Sequence, residues 1–196
     1  MSRKDRNSNG ASPDAIAILK KDHAEVSALF KQYADLESED EKQAVAERIC
    51  KMLTVHATCE EELVYPPAHE VIADDLVYEA EIEHGSAKAL IAQIEASNPS
   101  DDAYDATVKV LGEYIAHHVK EEESEMFPQL QKSDLDLQEM GMAIAARKAE
   151  LAEQVGLNSD DDDGNSDTDR QKNIKSGTAA NHSRSPMRAA GIARRS

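Results

Sequence analysis

Two segments of this chain repeat a pattern able to hold metal ions. His56-Ala57-Thr58-Cys59-Glu60 and His118-Val119-Lys120-Glu121-Glu122 each set an imidazole four residues before a carboxylate. On an α-helix that spacing stacks both side chains on one face, one turn apart. The echo continues to Tyr65-Pro66 and Phe127-Pro128, at the same offsets from His56 and His118. An imidazole and a carboxylate so placed can bind one transition-metal ion together, or each can serve one of two adjacent ions. The isolated histidines His23 and His84 complete a candidate set with His56, Glu60, His118 and Glu122.

Helical elements must position these residues. Ser12-Pro13-Asp14 reads as a helix start, with an N-cap serine, proline in the first turn and an acid behind it. The first helix then runs to about Leu36, and His23 fills a gap in its apolar seam of Ile16, Leu19, Val26, Phe30 and Tyr33. Ser38-Glu39-Asp40-Glu41 is a capping box for a second helix, which Pro66-Pro67 ends. Its seam is Val45, Ile49, Met52, His56, Cys59 and Leu63. After an irregular or singly turned connection, a third helix spans about Asp74 to Ser97 with His84 between Ala80 and Ala87 on its seam. Ser100 caps a fourth that reaches about Lys132, with His118 following Ile115.

In an up-down-up-down bundle, the starts of the first and third helices share one end with the finishes of the second and fourth. His23, His56 and His84 lie about nine or ten residues from that end and His118 about fourteen, at ~1.5 Å per residue. Four imidazoles thus converge near one height. Buried without a metal, they and the two glutamates would carry a large desolvation cost.

Composition bounds the rest. The 196 residues allow one domain plus tails, and the helix formers Ala, Glu, Leu and Lys dominate the middle. No period-2 alternation of β-branched residues argues for a sheet. The fold class is therefore all-α: a four-helix bundle with an extra helix over 134–155, ended by Gly156. The expected domain covers residues 13–156, between a disordered segment at 1–12 and a disordered, low-complexity tail at 157–196. The formal net charge is −17, which makes nucleic acid an unfavourable partner for the folded part. No apolar run reaches the ~18 residues that a membrane span needs, and Met1 to Pro13 has no signal-peptide core. Cys50 and Cys59 fall on one helix, about 13 Å apart and too far to bridge, which suits a reduced, cytoplasmic setting.

With those residues in place, the order His23, His56-x3-Glu60, His84, His118-x3-Glu122 resembles the hemerythrin-like (HHE cation-binding) domain over about residues 14–150. The phrases Asp22-His23, Glu60-Glu61-Glu62, Glu83-His84 and Glu122-Glu123-x3-Phe127-Pro128 strengthen the likeness. The resemblance implies two iron ions bridged by Glu60 and Glu122, with the four histidines as terminal ligands. Manganese suits the same donors, and zinc is not excluded by geometry. The chain departs from the oxygen-carrying members, which have a further histidine one turn from the third. Here Ala80 and Lys88 stand a turn either side of His84.

The remaining candidates are weaker. Glu81 forms a Glu-x-x-His pair with His84, and Tyr114 stands one turn before His118, so both are possible additional ligands or hydrogen-bond partners of ligands. Solvation for Glu81 and packing for Tyr114 are the plainer expectations. His117 is turned about 100° from His118 and suits a surface or supporting role. His69 and His182 are given no role, and the acidic run from Asp160 to Asp169 lacks the closing glutamate of a calcium loop. Three functions follow in order: binding or sensing of dioxygen, nitric oxide or iron itself; turnover of peroxide at the same centre; and a structural bundle with an adventitious metal.

Overall fold

The computed structural model describes residues 13–157. The tails, with His182 and the acidic run, lie outside the described residues. Four long helices, α1 (Ala15–Asp35), α2 (Glu39–Leu63), α4 (Asp74–Glu95) and α5 (Tyr104–Glu121), pack in a ring in which α1 meets α2 and α5, and α4 meets α2 and α5. There is no strand among the described residues. The all-α, up-down-up-down bundle is what the seams require.

Local chemistry sets the ends. Asp14, rather than Ser12, caps α1 by accepting the Ala17 N–H at 2.8 Å. Ser38 stands at the N-cap of α2 but makes no side-chain bond there; Glu39, Asp40 and Glu41 complement the helix dipole instead. Ser100 does not start the fourth helix. A turn closed by Asp101, which accepts the Asn98 N–H at 2.8 Å, delays α5 until Tyr104. Asp136 caps the extra helix, α7 (Leu137–Gln154), and Gly156 follows it at φ 66°.

The proline pairs act differently from simple stops. Pro66 and Pro67 occupy the first positions of a short helix, α3 (Tyr65–Ala68), where a missing N–H costs nothing. In the second half, α5 passes into a π-helical turn (Glu122–Met126), and Phe127-Pro128 opens α6 (Phe127–Leu130). The prolines of the sequence echo thus open two matching short helices, while the π-helical turn belongs to the second copy alone among the described residues.

Two apolar layers enclose the middle of the bundle. One gathers Val26, Leu29, Ile49, Leu53, Ile91, Leu111 and Ile115, and the other Ile16, Leu19, Tyr65, Val77, Met126, Phe127 and Ile144. The candidate ligands lie between them along the helices. The extra helix α7 packs on α1 and α2. It packs tightly at Gly141, where a Cβ would stand 2.7 Å from Pro13 O and 2.8 Å from Ala15 N. Gly141→Ala should therefore push α7 off α1 and cost about 1–3 kcal/mol, read as a lower thermal midpoint. Gly85→Ala, with nothing within 4 Å, should instead raise it through helix propensity by about 0.5–1 kcal/mol. An unchanged midpoint for Gly141→Ala would contradict the close packing.

Candidate metal centre

Each of the six candidates from the sequence sits on the inner face of its element. His23 comes from α1, His56 and Glu60 from α2, His84 from α4, His118 from α5 and Glu122 from the π-helical turn, and all are buried. Their ring nitrogens meet in pairs: His23 Nε2 is 3.2 Å from His56 Nε2, and His84 Nε2 is 3.2 Å from His118 Nε2. Glu60 Oε2 lies between the pairs, 3.1 Å from His56 Nε2 and 3.4 Å from His84 Nε2. Glu122 Oε2 mirrors it, 3.3 Å from His23 Nε2 and 3.5 Å from His118 Nε2.

These contacts are close, yet Glu60 Oε1 and Oε2 and Glu122 Oε2 receive no aligned hydrogen bond. Buried carboxylate oxygens are normally satisfied. Here the oxygens and nitrogens face a shared space, as donors to a common cation would. Two overlapping sets result. The ligand atoms of His23, His56, Glu60 and Glu122 lie within 4.8 Å of one another, and so do those of Glu60, His84 and His118.

A family profile, the Hemerythrin HHE cation binding domain, matches residues 14–130. The chain belongs to that family. A curated relative from Nostoc, named a DNA nickase, is 28% identical over 144 residues, which is 71% of this chain and 40% of the relative. The chain therefore spans about two fifths of that protein's length. The crystal structure of a hemerythrin HHE cation-binding domain-containing protein from Mycobacterium kansasii aligns with a TM-score of 0.64 at 22% identity. That alignment covers 72% of this chain and 89% of the other, and it supports the bundle fold.

The hemerythrin-like centre has an outer ring of acids. Each imidazole turns its Nδ1 to a carboxylate: His23 to Glu123 at 3.0 Å, His56 to Asp22 at 3.5 Å, His84 to Glu61 at 3.0 Å and His118 to Glu83 at 2.7 Å. An acid there holds a proton on Nδ1 and leaves the Nε2 lone pair for a metal. All four acids are sequence neighbours of candidate ligands. The phrases that strengthened the family resemblance thus have a physical role that spacing alone did not reveal.

Tyr65 was also missed as a site residue. It lies fully buried, its hydroxyl 3.1 Å from His84 Nε2 and donating to Glu122 Oε1 at 3.1 Å. Phe127 holds the equivalent place in the other half and stacks on His23, ring centroids 5.8 Å apart. The Tyr-Pro and Phe-Pro echo was the available signal, read only as a helix end. The two supplementary candidates fall elsewhere. Glu81 is exposed and reaches His69 Nε2 at 3.4 Å, while Tyr114 packs against the apolar layer around Val26 and Leu111. Neither joins the cluster, because α4 turns Glu81 outward and Tyr114 sits a turn too far along α5.

In the metal-free protein the cluster carries its own compensation. Burial opposes charge on His56, but the Glu60 carboxylate and the hydrogen bond to Asp22 outweigh it and push the imidazole up to about 10. Burial likewise opposes the raised values of His23 and His84, which Glu122 and Glu60 respectively overcome. Burial disfavours the Glu60 carboxylate too, yet His56 and His84 hold it well below its ordinary range. A raised histidine stabilises the fold fully below its ordinary value of 6.5 and loses that contribution as pH climbs towards about 10. A depressed glutamate contributes above its ordinary 4.5 and loses that contribution as pH falls. The thermal midpoint of metal-free protein should therefore decline from pH 6.5 to 10 and again below 4.5. A midpoint flat from neutral to alkaline pH would contradict the ion-paired cluster.

Proposed function

We propose that the centre is a non-haem di-iron site whose protein binds or senses a small molecule such as dioxygen or nitric oxide, or iron itself. The observation that carries this is the pair of overlapping donor sets sharing Glu60, with unsatisfied carboxylate oxygens between them. Four imidazoles and two carboxylates suit iron, with manganese or zinc as poorer alternatives. In this reading His23 and His56 serve one ion, His84 and His118 the other, and Glu60 and Glu122 lie between. Iron, when bound, supplies an open coordination position and reversible one-electron exchange.

The protein's own residues then set access and protons. A water-sized opening of about 10 Å³ adjoins Glu122, lined by Leu76, Glu79, Ala80, Glu121 and Met126. It has room for about one water and none for an organic substrate. Tyr65 makes the halves unequal. It offers an oxygen beside His84 where the other half offers only the Phe127 ring, so in this reading the two ions are not equally open. A second reading, decomposition of peroxide, draws on that same hydroxyl as a proton held against Glu122.

The nickase name belongs to a much longer relative. Gripping a phosphate backbone takes a basic surface, and a net charge of −17 opposes it. No helix among the described residues is long and apolar enough to cross a membrane. Cys50 and Cys59 are both free and buried, which fits a reducing, cytoplasmic setting in this reading.

Purified protein should carry about two irons per chain, as two donor sets require. Glu60→Ala or Glu122→Ala should remove most of it. A single zinc in place of iron, or both irons retained without both glutamates, would overturn the bridging assignment. Anaerobic mixing of the reduced protein with dioxygen, nitric oxide and hydrogen peroxide separates the readings. A stable adduct that releases its gas intact indicates binding, and rapid peroxide loss indicates turnover. Tyr65→Phe should shift the visible absorption of the oxidised iron form, and an unchanged spectrum would make the hydroxyl a bystander.

A further inference from the structure

The four outer acids differ in what lies beyond them. Asp22 is met by Lys148 from α7, Glu61 by Lys88 at 2.6 Å and Glu123 by Lys20 at 3.7 Å. Each of these three lines therefore runs from imidazole to carboxylate to ammonium. Glu83 meets no lysine in the same way among the described residues. Its Oε2 accepts from His118 Nδ1 at 2.7 Å, while its Oε1 faces His117 Nε2 at 3.8 Å. His117 Nε2 is in turn 3.1 Å from Glu121 Oε1. The ligand atoms of Glu83, His117 and Glu121 all lie within 4.8 Å of one another.

This trio has no counterpart in the other half. The echo places Val55 and Cys59 where His117 and Glu121 stand, and both are buried. His117, by contrast, is 57% exposed at its side chain and open to incoming ions. Glu83 ties the trio to the His118 imidazole, and Glu121 also lines the opening beside Glu122. Where three acids have a fixed ammonium, the fourth has two carboxylates around an imidazole. That leaves a local excess of negative charge and a mixed nitrogen and oxygen donor set.

We propose that Glu83, His117 and Glu121 form an outer, exchangeable site for a divalent transition-metal ion, from which the buried centre is loaded. One imidazole with carboxylates selects ferrous, manganous or zinc ions over hard calcium, and the exposed side leaves positions for water. The loading role rests on the reading that the buried centre holds metal. The outer site stands on its own geometry.

The test uses full-length metal-free protein given two equivalents of zinc per chain, which fill the buried, donor-rich centre and leave the outer site open, then desalted and titrated with Mn²⁺, with free Mn²⁺ followed by its electron paramagnetic resonance amplitude. Zinc outranks manganese in affinity, so Mn²⁺ does not displace it from the centre. Wild type should take up an equivalent of Mn²⁺ that His117→Ala and Glu121→Gln both lose, with zinc content unchanged by elemental analysis. Absence of that equivalent in wild type, or its retention in either variant, overturns the proposal. Zinc missing from desalted wild type would instead count against the buried centre while leaving the Mn²⁺ result readable. For loading, metal-free His117→Ala should fill with anaerobic ferrous iron more slowly than wild type and reach the same final content. Equal filling rates would overturn the loading role.

Discussion

The bundle is built around a layer it could not bury at low cost by packing alone. Glu60 and Glu122 are almost wholly out of solvent, and four imidazoles share their layer. Taking such ions from water costs several kcal/mol each in real proteins. The structure answers in two tiers. Imidazoles surround the carboxylates, and an outer ring of acids with lysines then fixes the imidazoles. Apolar layers on both sides keep water out and raise the strength of each of those interactions.

That constraint explains the backbone around the site. Glu122 must enter the layer from the end of α5, and there the helix widens into a π-helical turn. Such turns are frequent at functional sites, because an extra residue in the turn redirects the side chains beyond it. Proline at the start of α3 and α6 lets each chain resume as a helix directly after the ligand, bringing Tyr65 and Phe127 back over the centre. The internal echo is thus two copies of one device, save that Glu60 enters from an unbroken α2 and Glu122 from the π-helical turn. It is broken where α7 covers α1 and α2 and supplies Lys148, and where Tyr65 replaces the bare ring of Phe127.

Much of this was legible in the sequence. A histidine in a gap of an apolar 3/4 seam has one direction to point, and four of them at one height define a layer. The acids were harder to read. Asp22, Glu61, Glu83 and Glu123 look like ordinary charges of an acidic chain, and their role depends on which neighbouring helix they reach across to. Tyr65 was hidden by Pro66-Pro67, since a proline pair reads as an end and not as the start of another turn. Seam positions also drifted by a residue in places: Leu29 is buried where Phe30 was expected to be, because a real helix buries a stripe and not a line.

In the proposed di-iron centre, Glu60 and Glu122 would hold two ions side by side. Electron paramagnetic resonance of the oxidised, iron-loaded protein tests it most directly. Ferric ions joined through shared carboxylates couple antiferromagnetically, so iron-replete protein should be silent at low temperature. A strong signal of isolated high-spin ferric iron, accounting for the iron present, would contradict the shared site.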